Sequence, residues 1–124
     1  MNRSILLVED SDEFKELVAR YLEREPYQLT VAGDVRSAIA ALESGTEFAV
    51  ALVDFWLGSE NATPVMDHIS SNYPGLSLIV ISGGSNEFPP ETVKALGEIS
   101  GALHFLQKPF TRSELLGLLA SAAG

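Results

Sequence analysis

Short apolar runs and longer amphipathic stretches take turns along this chain from one end to the other. Ser4-Ile5-Leu6-Leu7-Val8 is a short, partly β-branched apolar run, the pattern of a strand buried on both faces. It stops abruptly at Glu9-Asp10-Ser11-Asp12. Phe14, Leu17, Val18, Tyr21 and Leu22 then return at helical spacing and mark one face of a helix. Ser11 or Asp12 can cap its start, and Pro26 lies just beyond its end.

The alternation repeats. Leu29-Thr30-Val31-Ala32 predicts a second strand, and Asp34 opens a helix carrying Val35, Ala38, Ile39 and Leu42, closed by Gly45. Phe48-Ala49-Val50-Ala51-Leu52-Val53 predicts a third strand that ends at Asp54. A polar stretch from Gly58 to Thr63 leads into a helix from Pro64, a residue suited to a first helical position, to Asn72. Leu76 to Ile81 is a fourth strand, followed by Ser82-Gly83-Gly84, and Pro90 opens a further short helix. Ala102-Leu103-His104-Phe105-Leu106 is a fifth strand, ending at Gln107-Lys108-Pro109. Leu115, Leu116, Leu118 and Leu119 line a terminal helix whose last residues, Ala120 to Gly124, read as a frayed end. Five strand–helix units in succession predict an α/β protein, a doubly wound five-stranded parallel sheet with helices on both faces. No linker or low-complexity segment interrupts them, so residues 1–124 read as one domain.

Composition narrows the chemistry. With 124 residues, the chain can build one hydrophobic core and not two. The absence of cysteine excludes disulfides and thiol chemistry. Eight basic against seventeen acidic side chains give a net charge of -9, which disfavours direct nucleic-acid binding and tolerates cations. No signal peptide is recognisable, and no apolar run approaches the roughly 20 residues that span a bilayer. A cytoplasmic protein away from the membrane is expected.

In a doubly wound sheet, ligands bind at the carboxyl ends of the strands, near the point where strand order reverses. Strand one ends in Glu9 and Asp10, strand three in Asp54, strand four in Ser82 and strand five in Lys108. Clustered carboxylates repel one another, and a hard cation such as Mg²⁺ relieves that with oxygen ligands. Lys108 can hold a phosphoryl oxygen as a point charge, and Ser82 can donate a hydrogen bond to another. Such a site can move a phosphoryl group onto a carboxylate chiefly by positioning and charge neutralisation.

Here the sequence resembles the response-regulator receiver family, the CheY-like superfamily, over essentially its whole length. The matching pieces are Val8-Glu9-Asp10, Val53-Asp54, Ile81-Ser82-Gly83 and Lys108-Pro109-Phe110, in order and each at a strand end. The resemblance implies the flavodoxin-like strand order 2-1-3-4-5 and a two-component phosphorelay role. By it, Asp54 is the phosphoacceptor, and Glu9, Asp10, Asp54 and the Trp56 carbonyl hold Mg²⁺. Ser82 is the switch hydroxyl, Lys108 the phosphate-binding lysine and Phe105 the switch aromatic. The Lys108-Pro109 bond resembles the family's cis peptide, which aims the lysine into the site. The implied donor is a histidine kinase or phosphotransfer protein, and the implied output is a protein target, reached as a monomer or a phosphorylation-dependent dimer. A stand-alone receiver of this kind is no enzyme beyond its own phosphorylation and dephosphorylation. One stretch departs from the family. After Asp54, receivers often read hydrophobic-any-hydrophobic-Pro-Gly, whereas this chain reads Phe55-Trp56-Leu57-Gly58-Ser59-Glu60, with Pro64 late. The departure bears on the shape of that loop and on the partner surface above it.

Other readings compete. Glu9 and Asp10 can simply cap a helix, Asp54 can close a turn, Ser82 can be ordinary loop, Lys108 a surface lysine and Phe105 plain core. Trp56 stands open between packing, partner contact and cover over the phosphoryl group. His68 and His104 lack metal-ligand spacing. At the level of function, a haloacid-dehalogenase-like phosphatase needs a second aspartate where Trp56 stands. A flavodoxin-like cofactor binder needs a phosphate loop where Glu9 to Glu13 would repel one. A degenerate receiver that only binds a partner is the remaining alternative, and the full acidic set argues against it.

Overall fold

The structure, a computed structural model, describes residues 2–83 and 104–123. In chain order the elements are β1 (Ser4–Val8), α1 (Asp12–Leu22), β2 (Gln28–Ala32), α2 (Val35–Leu42), β3 (Val50–Asp54), β4 (Trp56–Leu57), β5 (Glu60–Asn61), α3 (Thr63–Asn72), β6 (Ser77–Ser82), β7 (His104–Gln107) and α4 (Arg112–Ala123). The main sheet has five strands in the order β2-β1-β3-β6-β7, and each adjacent pair is parallel. That is the expected order 2-1-3-4-5 once the short β4–β5 pair, which stands outside the sheet, is set aside. The helix expected from Pro90, Gly84 and the expected strand residues Ala102 and Leu103 lie outside the described residues.

Burial follows from the sequence pattern. The central strands β3 and β1 are buried along nearly their whole length, whereas the edge strand β2 is largely exposed, with Val31 at 44%. Alternate residues of β1 feed opposite layers. Leu6 and Val8 join α2 and α3 through Ala38, Leu42, Val65, Met66 and Ile69. Ile5 and Leu7 join α1 and α4 through Val18, Leu22, Leu115 and Leu119. A slip of one residue would exchange the two layers, so the strands hold a single register. Each of these buried side chains larger than alanine stabilises by roughly 1.5–3 kcal/mol.

The helix starts behave as their sequences dictate. The Ser11 hydroxyl accepts from the Phe14 amide at 3.4 Å, and Asp34 with Ser37 forms a capping box at α2. Pro64 falls in the first turn of α3. Two expectations need correction. The polar stretch after Asp54 is a hairpin, with Trp56 opposite Asn61 and Leu57 opposite Glu60. Gly58 turns it at a φ of 66°, a conformation that favours glycine. The second concerns the C-terminus, where α4 runs on to Ala123 instead of fraying at Ala120. The Ser77 hydroxyl donates to the Ala122 carbonyl at 2.9 Å and ties the last turn to β6.

Candidate functional site

The ends of β1, β3 and β7 deliver Glu9, Asp54 and Lys108 to the same rim. Glu9 extends β1 by one more ladder bond, its amide donating to the Ala32 carbonyl at 3.0 Å. That bond places its side chain over the sheet end, where it is only 1% exposed. Asp10, one residue on, faces solvent. Asp54 closes β3 at 4% exposure. Lys108 follows β7, with its amide donating to the Ser82 carbonyl at 2.8 Å, and the Lys108-Pro109 peptide is cis. Glu9, Asp10, Ser11, Asp54, Trp56, Gly58, Gly83 and Lys108 line one cavity of ≈ 270 Å³.

Lys108 is the electrostatic centre of this group. Its ammonium donates to Asp54 Oδ2 at 2.7 Å and lies 2.9 Å from Glu9 Oε1. The second oxygens are held by backbone, since the Trp56 amide donates to Asp54 Oδ1 at 3.0 Å and the Ser11 amide to Glu9 Oε2 at 3.1 Å. Burial drives the Glu9 carboxyl up to about 7, and its hydrogen bond with Asp54 adds to the rise, against the pull of Lys108. Burial acts to lower the Lys108 ammonium, but its bonds to Asp54 and Glu9 outweigh that and raise it. One ammonium thus serves two buried carboxylates.

The remaining expected residues are placed less uniformly. Trp56 lines the cavity half-buried, with its ring edge-on to Phe55 at 5.2 Å. Ser82 ends β6 half-buried, and Gly83 rather than Ser82 lines the cavity among the described residues. Phe105 pairs in register with Val80 and packs half-buried against the α2–α3 layer. His68 lies in α3 away from the rim, beside Asn72 and Tyr73. Sequence reasoning missed Phe14, whose ring lies 3.9 Å from the Lys108 ammonium. Its helical spacing marked it only as core, and no local signal shows a contact with a residue so far along the chain.

Glu9, Asp10 and Asp54 each offer an oxygen within 4.8 Å of the others. An all-oxygen set of this kind fits a hard divalent cation such as Mg²⁺. With a cation beside them and Lys108 on the other side, the Asp54 oxygens could receive a dianionic group without prohibitive repulsion.

Comparison with known proteins gives the family and the fold. Residues 5–120 match the family model of the response regulator receiver domain. The nitrogen assimilation regulatory protein NtrX of Azorhizobium caulinodans is 32% identical over 119 residues, which cover 94% of this chain and 25% of that protein. The sensory transduction protein RegX3 of Mycolicibacterium smegmatis is 29% identical over 114 residues, 91% of this chain and 47% of that one. The chain thus spans between a quarter and a half of the length of these relatives. Among solved structures, the receiver domain of NtrX from Brucella abortus superposes with a TM-score of 0.85 at 30% identity, covering 96% of this chain and 97% of that one.

Proposed function

The chain belongs to the response-regulator receiver family, and from that premise we propose that Asp54 is its phosphoacceptor and that Glu9, Asp10 and Asp54 hold the Mg²⁺ that the transfer needs. Receivers of this family work in two-component phosphorelay signalling, and this chain is one of them. The observation that carries the assignment is the seat of Lys108, 2.7 Å from Asp54 and 2.9 Å from Glu9, in a cavity that Asp10 also lines.

In this reading the donor is a phosphohistidine of a histidine kinase or phosphotransfer protein. A carboxylate oxygen of Asp54 attacks phosphorus and the phosphorus–nitrogen bond breaks. The imidazole leaves with that electron pair and takes up a proton. Lys108 keeps its charge and passes from a carboxylate oxygen to a phosphoryl oxygen. The bound cation supplies further charge neutralisation. The Trp56 carbonyl is a further candidate ligand to it. Ser82 supplies the hydroxyl that meets the phosphoryl group, and Phe105 answers its movement. The output is contact with a protein target in the cytoplasm, and the only chemistry is the chain's own gain and loss of phosphate. Among the described residues, no helix is long and apolar enough to cross a membrane. A partner-binding module without phosphorylation is the weaker reading, because acids and lysine form a complete set.

Treatment with acetyl phosphate and Mg²⁺ should add one phosphate to the intact protein by mass spectrometry, and none to Asp54→Asn. Full labelling of that variant would reject Asp54 as the acceptor.

A further inference from the structure

We propose that Phe14 is the positioning residue for Lys108, its ring forming the wall on which the ammonium rests while it serves Asp54. The proposal rests on the reading of Asp54 as phosphoacceptor and adds a residue that the reading does not contain. The Lys108 ammonium stands 3.9 Å from the centroid of the Phe14 ring, well inside the range of a cation–π contact. A lysine has three N–H donors, and carboxylate oxygens of Glu9 and Asp54 answer two of them. The side chain is only 14% exposed, so water has little access to the remainder of the ammonium. The ring face fills that place, and the contact is worth most where water is excluded.

The ring itself is anchored. Phe14 lies 6.2 Å from Phe110, and Tyr21, on the same face of α1, meets Phe110 edge-on at 6.3 Å. The Tyr21 hydroxyl donates to the Phe110 carbonyl at 3.2 Å. Phe110 is 4% exposed and directly follows the cis Lys108-Pro109 peptide. The backbone that carries Lys108 and the ring under its ammonium are thus clamped by one aromatic cluster.

A ring face suits this task better than another hydrogen-bonding group. Transfer requires Nζ to leave a carboxylate oxygen for a phosphoryl oxygen, and a third acceptor with fixed direction would hold it back. The face of a ring attracts the cation with little directional demand, so the ammonium can pivot without losing its seat. An aliphatic side chain at this position would keep the packing and lose the attraction.

The test is the initial rate of Asp54 phosphorylation by acetyl phosphate at saturating Mg²⁺, for wild type, Phe14→Leu and Phe14→Tyr, each repeated on a Lys108→Ala background over longer incubations. Phe14→Leu should slow the reaction roughly fivefold, Phe14→Tyr should stay near wild type, and on the Lys108→Ala background the leucine should cost nothing further. Equal slowing on both backgrounds, or a tyrosine variant as slow as leucine, would overturn the proposal. The Lys108 Hε resonances give a second readout that does not depend on phosphorylation. Ring current should displace them upfield in wild type and Phe14→Tyr, and Phe14→Leu should return them to the ordinary range. Undisplaced Hε resonances in wild type would reject the seat itself. Failure of wild type to phosphorylate on Asp54 would instead reject the phosphoacceptor reading, with the ring-current result still deciding where the lysine sits.

Discussion

Burial shifts the proton of Glu9. Its carboxyl rises from 4.5 to about 7 in the folded chain because it is buried, so between those values the folded protein keeps a proton that the unfolded chain has released. This contribution to stability is complete below the unfolded value and is lost as pH rises through about 7, on the order of 3 kcal/mol in all. Glu9→Gln should remove most of that slope, measured by urea unfolding at about pH 5 and about pH 8 without metal. An unchanged slope would place the proton elsewhere. Mg²⁺ competes with the same proton, so its affinity should fall as pH drops below about 7. Asp10 is different, because it faces solvent. Asp10→Asn should weaken Mg²⁺ binding while changing metal-free stability by less than about 0.5 kcal/mol. Strand-end position made all three acids readable in the sequence; which of them is strained depends on burial, and that took the fold. Trp56 yields a kinetic prediction. It lines the same cavity as Asp54, and in-line placement of a hydrolytic water is most of the catalysis. The phosphorylated protein should therefore lose phosphate slowly, and Trp56→Asn should lose it faster at fixed Mg²⁺ and pH. Equal or slower decay in the variant would assign the indole to packing alone.

Among the elements, the β4–β5 hairpin is the part that the sequence hid. Two-residue strands carry no alternation to read, and Glu60, Asn61 and Thr63 look like ordinary loop. One of its ties is long-range and another closes its base. The Val35 amide at the start of α2 donates to Glu60 Oε1 at 2.9 Å, and the Ala62 amide donates to the Phe55 carbonyl at 2.8 Å. With Trp56 bonded to Asp54 Oδ1, the hairpin joins Asp54 to the N-terminus of α2. A carboxylate there satisfies an otherwise unpaired helical amide and meets the positive end of the dipole. Glu60→Ala should lower stability by about 0.5–1 kcal/mol and speed hydrogen exchange at the Val35 amide selectively. Protection of Val35 equal to wild type would mean that water replaces the carboxylate at no cost. The C-terminus of α4 misled for a similar reason. Ala120, Ala122 and Gly124 look like a fraying tail, and the bond from Ser77 that holds the last turn is invisible before the chain is folded. By contrast β1, β3 and β6 were legible, since buried parallel strands are continuous apolar runs with abrupt polar ends.

For the molecule as a whole, topology does the assembling. Parallel strands bring all their carboxyl ends to one edge, and β1 beside β3 is the point where strand order reverses. Glu9 and Asp54 meet there because their strands are neighbours, and Lys108 reaches them from the end of β7, on the far side of β6, just before the cis peptide. This is why four short motifs scattered along the chain end at one edge of the sheet, and why Phe14, a helix residue with no motif, was not read with them. The central claim is phosphorylation of Asp54 at this junction with Mg²⁺. Borohydride reduction tests it most directly, because it converts an aspartyl phosphate into homoserine that peptide mass spectrometry can locate. After acetyl phosphate and Mg²⁺, homoserine should appear at position 54 and nowhere else, and removal of Mg²⁺ with a chelator should abolish it. Homoserine at another aspartate, or undiminished conversion without Mg²⁺, would contradict the account.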